Sequence, residues 1–556
     1  MANSAAQSAN TDMRRMSRRE SGDKVEKVKS LLHLDSEKRS VAAAAFFLAL
    51  IPVVCALLYP LAEGQSFAQI YLPASPWNDE LFYYKLTENV LAYGYPQGYF
   101  GFNESHGLCL SFAAWSPVLL VFWVIWGFFF GWNLLSPMLC NIALLSLAML
   151  FFALLVRPDK RQSVWIGVLY GAFIPVTRFA LSCIPEAELF ALFIVFLGLA
   201  EACRKKYRPW MANVMFVLVA VMTWMRPYLI LLLLTPAVLQ YKQKGKKALL
   251  QTGGTAAAAI AVYGAVNHFF SAPYLTDLFY TEWITVYFEQ GIFAGVRYTV
   301  WKLCTSLTSM LRMIWENLTT GSGLISAAGL YYFIFLLLML YLSGKTVCRI
   351  ARKDWKGFLP EGQMLFCMFG FFVADLLMYR IQEGGRHTLV YIVGCLFLLP
   401  VLADLHKIRQ LCLPIGMTAV FLALFIGRGD IPYEFALPYG SEEHRADLKV
   451  LEEQLAERME LTGDAPNYDN TVIWTAWDSI DGETKPVDFG AYYAVPKGFG
   501  INLCDGGYMD VNLETLESRY IGTIPGGEFE KRCIAAGGRE VGRCKRLVIY
   551  DMYFGS

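Results

Sequence analysis

Residues 76–80 read Pro76-Trp77-Asn78-Asp79-Glu80, and the stretch runs on through Tyr83, Tyr84 and Lys85 to Asn103-Glu104-Ser105-His106. It places two adjacent carboxylates soon after the first long apolar run, 41–62. A run of that length spans a bilayer as helix, which takes about 20 residues. The polar lead before it, 1–40, carries Arg14, Arg15, Arg18, Arg19, Lys24, Lys27, Lys29, Lys38 and Arg39. By the positive-inside rule this tail is cytoplasmic and the run crosses outward, so Asp79 and Glu80 lie just outside the membrane. The long polar lead, with no clear cleavage site, argues against a removable signal peptide.

The rest of the chain repeats this apolar character. Of its 556 residues 56% are hydrophobic and only 17% charged, against about 25% charged in an ordinary soluble domain. The net charge of +1, with no basic stripe interleaved with aromatics, offers no surface for nucleic acid. Thirteen cysteines occur without a Cys-x-x-Cys pair, so no zinc or disulfide framework is legible.

Loop charges set the order of crossings. Residues 108–131 and 133–156 are both apolar, but the next loop, Arg157-Pro158-Asp159-Lys160-Arg161, reads as cytoplasmic. Only one of the two runs can then cross. The segment 108–131, broken by Ser116-Pro117 and Gly127, is expected to be re-entrant or juxtamembrane on the outer side. Residues 164–181 go out, an outer turn runs from Thr177 to Glu188, and 187–203 return to Arg204-Lys205-Lys206. Residues 210–240 have basic flanks at both ends and form a hairpin turning at Trp224-Met225-Arg226-Pro227. Then 249–270 go out, 271–320 make an aromatic-rich outer segment, 322–343 return, 362–380 go out, 387–403 return and 411–427 leave for the last time. The expectation is an all-α polytopic membrane protein of about 11 spans. Outer loops are 63–132 and 271–320, within a membrane domain of 41–427.

The tail 428–556 is polar and glycine-rich and reads as a small α/β domain outside the membrane. A helix is expected at 442–461 and another at Glu528–Ala536, with strands at Thr471–Trp474, Ala491–Val495, Arg519–Ile524 and Arg546–Tyr550.

Several residues invite chemistry, each with a plain alternative. Asp79 or Glu80 reads as a general base or as helix capping. Arg386, in Gly384-Gly385-Arg386-His387, offers a planar fork for phosphate or snorkels to headgroups. Arg178 and Arg226 share that ambiguity, Arg226 standing between apolar runs with no other charge nearby. Glu186 and Glu188 read as caps or as a second site carboxylate. His106, His268 and His387 read as structural or as ligand-binding, and no metal site is legible from spacing. Asn103 and Asn317 lie in Asn-x-Ser/Thr sequons.

Taken in order, these pieces resemble the GT-C fold glycosyltransferases, the group that includes the protein O-mannosyltransferases and the lipid A aminoarabinose transferases. Asp79-Glu80 matches the acidic pair opening the first outer loop, and Ser105-His106-Gly107-Leu108 the segment entering a juxtamembrane helix. Thr177-Arg178-Phe179 with Glu186 resembles the Arg-aromatic stretch leading to an acid, at longer spacing and with Glu as the acid. Gly385-Arg386-His387 through Pro400 resembles a late Arg-Tyr motif, with His in place of Tyr. The resemblance covers about residues 41–403. It implies transfer of a sugar from a polyprenyl-phosphate donor to a glycan, lipid or protein acceptor outside the cell membrane. Asp79 would be the base and Glu80 would orient the acceptor. Arg386, with Arg178 and Arg226, would neutralise the departing phosphate, and Lys85 would assist. The lipid tail would lie between helices, and 271–320 would cover the site. No cofactor is firmly implied. A transporter or lipid flippase is the alternative reading, ranked second because the charges cluster at one face and no internal repeat is visible.

Overall fold

Helix α1, Ser36–Ala62, is followed by α2, Asn78–Tyr93. The computed structural model describes residues 36–94, 100–104, 117–270, 280–319, 327–379, 381–425, 435–463, 467–504 and 506–553. Helix α3 spans Val121–Phe130, α4 Ser136–Val156, α5 Lys160–Ala172 and α6 Ile174–Ala180. Next come α7, Glu186–Lys205; α8, Pro209–Met225; α9, Leu234–Lys244; and α10, Lys246–Phe270. Helices α11, Glu282–Gln290, and α12, Ile292–Thr319, precede α13, Ala328–Ala351, and α14, Trp355–Met378. The membrane part ends with α15, Leu389–Leu402, and α16, Ile408–Phe425.

Among the described residues seven helices are long and apolar enough to cross a membrane, or up to eight if the pair α5–α6, bent by 71°, is one span. The chain is a multi-pass membrane protein. The remaining expected crossings fall on elements of another kind. Helix α7 has the length, but carries Glu186, Glu188 and Glu201 on buried positions. The hairpin 210–240 is two short arms, α8 and the 3-10 turn Pro227–Leu233 leading into α9. Proline removes a donor and pushes the residue before it out of the helical region. Arg226 accordingly has φ −145° and ψ 107°. Helix α3 with its preceding turn is a shorter apolar helix.

Helix α4 packs against α1 and α7. Gly198 lets α7 come so close to α4 that an added Cβ would lie 3.2 Å from the Phe152 Cα. Large apolar side chains such as Phe46, Phe128, Leu250 and Leu340 are exposed on the bundle's outside, where only lipid can cover them. The basic loops meet at one end. There Lys205 Nζ donates to the Val156 carbonyl at 2.7 Å, Arg161 to that of Leu405 at 3.1 Å, and His406 lies 3.6 Å from Asp159.

At the other end sits a six-stranded sheet in the order β1-β5-β2-β6-β8-β7. Its strands are β1 Phe100–Phe102, β2 Thr471–Thr475, β5 Gly500–Cys504, β6 Tyr520–Thr523, β7 Arg539–Arg543 and β8 Val548–Asp551. Strands β3, Trp477–Ile480, and β4, Glu483–Pro486, form a separate hairpin. Helices α17, Glu442–Arg458; α18, Gly506–Asn512; and α19, Glu528–Ala535, complete it. The edge strand β1 comes from the segment between α2 and α3 and pairs in parallel with β5, so the sheet is not built from 428–556 alone. Glu104 secures that segment, accepting from Ser518 N at 2.7 Å and Tyr508 Oη at 3.1 Å. One expected strand is corrected. Residues 491–495 fall mostly in a 3-10 helix, Phe489–Ala494, which Asp488 starts by accepting from Gly490 N at 3.0 Å. There Ala491, Tyr492 and Ala494 are all buried.

Candidate active site

The acidic pair opens helix α2, where negative charge suits the dipole of the first turn. Adjacent helical residues diverge by about 100°, and the two carboxylates part company. The Asp79 side chain is 23% exposed, and its Oδ2 accepts from Arg386 Nη1 at 3.1 Å. Glu80 is wholly buried, and its Oε1 accepts from the backbone N of Cys183 at 3.0 Å. Burial raises the Glu80 carboxyl above its ordinary range, outweighing the pull of Arg178.

Arg386 stands in a 3-10 turn, Gly385–Thr388, that feeds α15. Its Nε lies 3.8 Å from Glu186 Oε1, and Arg226 Nη2 lies 2.8 Å from the same oxygen. The break at Arg226-Pro227 is what turns that arginine toward the start of α7. Four elements thus deliver an alternating chain, Asp79–Arg386–Glu186–Arg226, from positions up to 307 apart in sequence. Glu186 and Arg226 are buried, and both Arg386 Nε and Glu186 Oε2 lack a hydrogen-bond partner. The arrangement offers an unspent guanidinium donor beside a carboxylate that solvent can reach. Among the described residues no group of three or more His, Cys, Asp or Glu is placed to hold a metal ion.

No protein-family model matches the chain, and no curated protein matches it in sequence. Its course is similar to that of solved structures of low sequence identity. One is the archaeal oligosaccharyltransferase AglB from Archaeoglobus fulgidus, in complex with an inhibitory peptide and a dolichol-phosphate: 14% identity, 87% of this chain and 69% of that chain covered, TM-score 0.43. Another is ArnT from Cupriavidus metallidurans bound to undecaprenyl phosphate: 11% identity, 91% and 97% covered, TM-score 0.48. The apo state of that ArnT matches at 10% identity, with 90% and 98% covered and a TM-score of 0.38.

The other expected site residues divide. Arg178 is wholly buried beneath the pair, its guanidinium carbon 3.9 Å from the Trp77 ring centroid. Its Nη1 donates to the Leu181 carbonyl at 3.3 Å, while Nε and Nη2 have no partner. His387 is buried among aromatics, with ring centroids 5.5 Å from Tyr228 and 5.2 Å from Tyr379. His106 lies outside the described residues. Two assignments need correction. Glu80 faces the interior and cannot orient an acceptor directly. Lys85 is buried, donating to Glu88 Oε2 at 2.9 Å and the Val495 carbonyl at 2.6 Å. With Asn89 and Tyr93, which meet the backbone at 498–499, it forms an i, i+4, i+8 stripe that clamps α2 to the C-terminal domain.

Sequence reasoning missed Asp375, buried in the last turns of α14 next to the Arg386 turn. Its signal was present: a lone acid inside the apolar run 362–380.

Proposed function

We propose that the protein is a membrane glycosyltransferase that moves a sugar from a polyprenyl-phosphate donor to an extracytoplasmic acceptor. The observation that carries this is the 3.1 Å contact of Asp79 and Arg386 beside the shared Glu186, at the end of the bundle away from the basic loops. Those loops are cytoplasmic by the positive-inside rule, which puts the site and the C-terminal domain outside. Charge gathered at one end suits chemistry at a membrane surface better than a path through the bilayer.

In this reading Arg386 turns its fork from Asp79 to the phosphate oxygens when donor binds. Asp79 is then free to accept the hydrogen bond of an acceptor hydroxyl. The acceptor oxygen attacks the anomeric carbon from the face opposite the phosphate, and its proton passes to Asp79. The bond from anomeric carbon to phosphate oxygen breaks, and its electron pair leaves with the lipid phosphate. The configuration inverts. Phosphate is a good leaving group, so no strong general acid is needed. Arg386, held by Glu186, stabilises the charge growing on it, and Arg226 keeps Glu186 in place.

The test is Asp79→Asn, which keeps the shape and loses the base. Transfer from a panel of labelled polyprenyl-phosphate sugars should fall about 10²–10⁴-fold. Full activity in that variant overturns the assignment.

A further inference from the structure

The turn that carries Arg386 rests on a buried acid that the reaction above does not use. Asp375 of α14 is wholly buried. Tyr332 of α13 donates its hydroxyl to Asp375 Oδ2 at 2.5 Å, while Oδ1 has no hydrogen-bond partner. Against Oδ1 lies Gly384, where an added Cβ would strike that oxygen and come within 2.6 Å of Tyr332 Oη. Gly385 is pressed just as hard on Ala328 of α13, with 2.6 Å from an added Cβ to the Ala328 Cβ. Neither glycine has a positive φ; they are small because the backbone must come close, not because it must turn left-handed. Met310 and Ile314 of α12, Leu376 and Ile381 close around Tyr332 as a separate apolar cluster. Water therefore does not compete for the Tyr332–Asp375 bond.

We propose that Asp375 is a positioning residue for Arg386. With Tyr332 it sets the height of the Gly384-Gly385 turn, and so holds the guanidinium within reach of both Asp79 and Glu186. Its consequence for catalysis rests on the transferase reading above; its consequence for the turn does not. Displacing such a clamp by about 1 Å is enough to cost a large factor in rate.

The experiment compares Asp375→Ala, Asp375→Asn, Gly384→Ala and the Asp375→Ala/Gly384→Ala double variant in purified full-length protein. Hydrogen exchange of 384–388 reads the turn, and kinetics read donor and acceptor KM. Asp375→Ala should speed exchange of 384–388 about tenfold while α13 and α14 keep their protection. It should raise donor KM about tenfold with acceptor KM unchanged. Asp375→Asn, which still accepts from Tyr332, should stay near wild type. Gly384→Ala should mimic Asp375→Ala. The double variant should be no worse than either single one, because the carboxylate the new methyl strikes is gone and Tyr332, no longer tied to it, can swing clear. Exchange that rises equally through α13 and α14, an unchanged 384–388, or an additive double variant overturns the proposal. Thermal shift with polyprenyl phosphate separates the two readings. If the wild type shows none while Asp375→Ala still loosens only 384–388, the transferase reading falls and the positioning role stands.

Discussion

Glu80 places its carboxyl where water cannot reach, so its protonation is coupled to folding. Burial raises its folded-state carboxyl above the unfolded value. The folded chain therefore holds a proton that the unfolded chain has released, and stability is lost as pH rises out of the ordinary carboxyl range. A Glu80→Gln variant keeps an acceptor for Cys183 N and sheds this dependence. It should melt near wild type at about pH 5 and above it at about pH 8. A melting curve that stays parallel to wild type across that range contradicts the sign. The sequence displayed the acidic pair but not which member faced inward, because both readings share one helix turn and differ only in what packs against each side. Arg386 and Arg226 were legible as misplaced charges near apolar runs. Their common partner Glu186 was legible only as one of two acids, since helix capping explained both equally well.

Helix α12 shows how much one element can declare by itself. Val296, Val300, Leu307, Leu311 and Trp315 are exposed along one side, Arg297, Thr305, Thr308, Arg312 and Glu316 along another, and Gly295, Ser306, Met310, Ile314 and Asn317 are buried. At about 100° per residue these fall into three adjoining sectors. A helix lying along the membrane interface needs all three: one for lipid, one for water, one for its own protein. In a background without native cysteines, Leu311→Cys should resist a membrane-impermeant thiol reagent in vesicles, and Thr308→Cys should react at least about tenfold faster. Equal labelling would remove the helix from the interface. The 3-10 helix at Phe489–Ala494 went the other way: Ala-Tyr-Tyr-Ala-Val suits a strand, but Asp488 and Gly490 just before it begin a turn.

For the whole molecule, the separation of charges predicts sidedness. Single cysteines at Lys160→Cys, Lys244→Cys and Lys353→Cys should react only from the cytoplasmic side, and Glu442→Cys and Lys485→Cys only from outside. Labelling of both groups from one side would invert or break the assigned topology. Apolar runs determined, from sequence alone, that the chain crosses a bilayer repeatedly; which segments return, read from the basic loops, is the expectation that this labelling tests. Those signals are local, set by the cost of placing charge or bare backbone in hydrocarbon. Only the tertiary structure decided that residues 79, 186, 226 and 386 converge, that residues 100–102 become an edge strand of the C-terminal sheet, and that Asp375 supports the Arg386 turn. Each of those depends on a contact between segments tens to hundreds of residues apart, for Asp375 its bond from Tyr332 of α13, fixed by how close two backbones can pack, and no spacing along one segment encodes it.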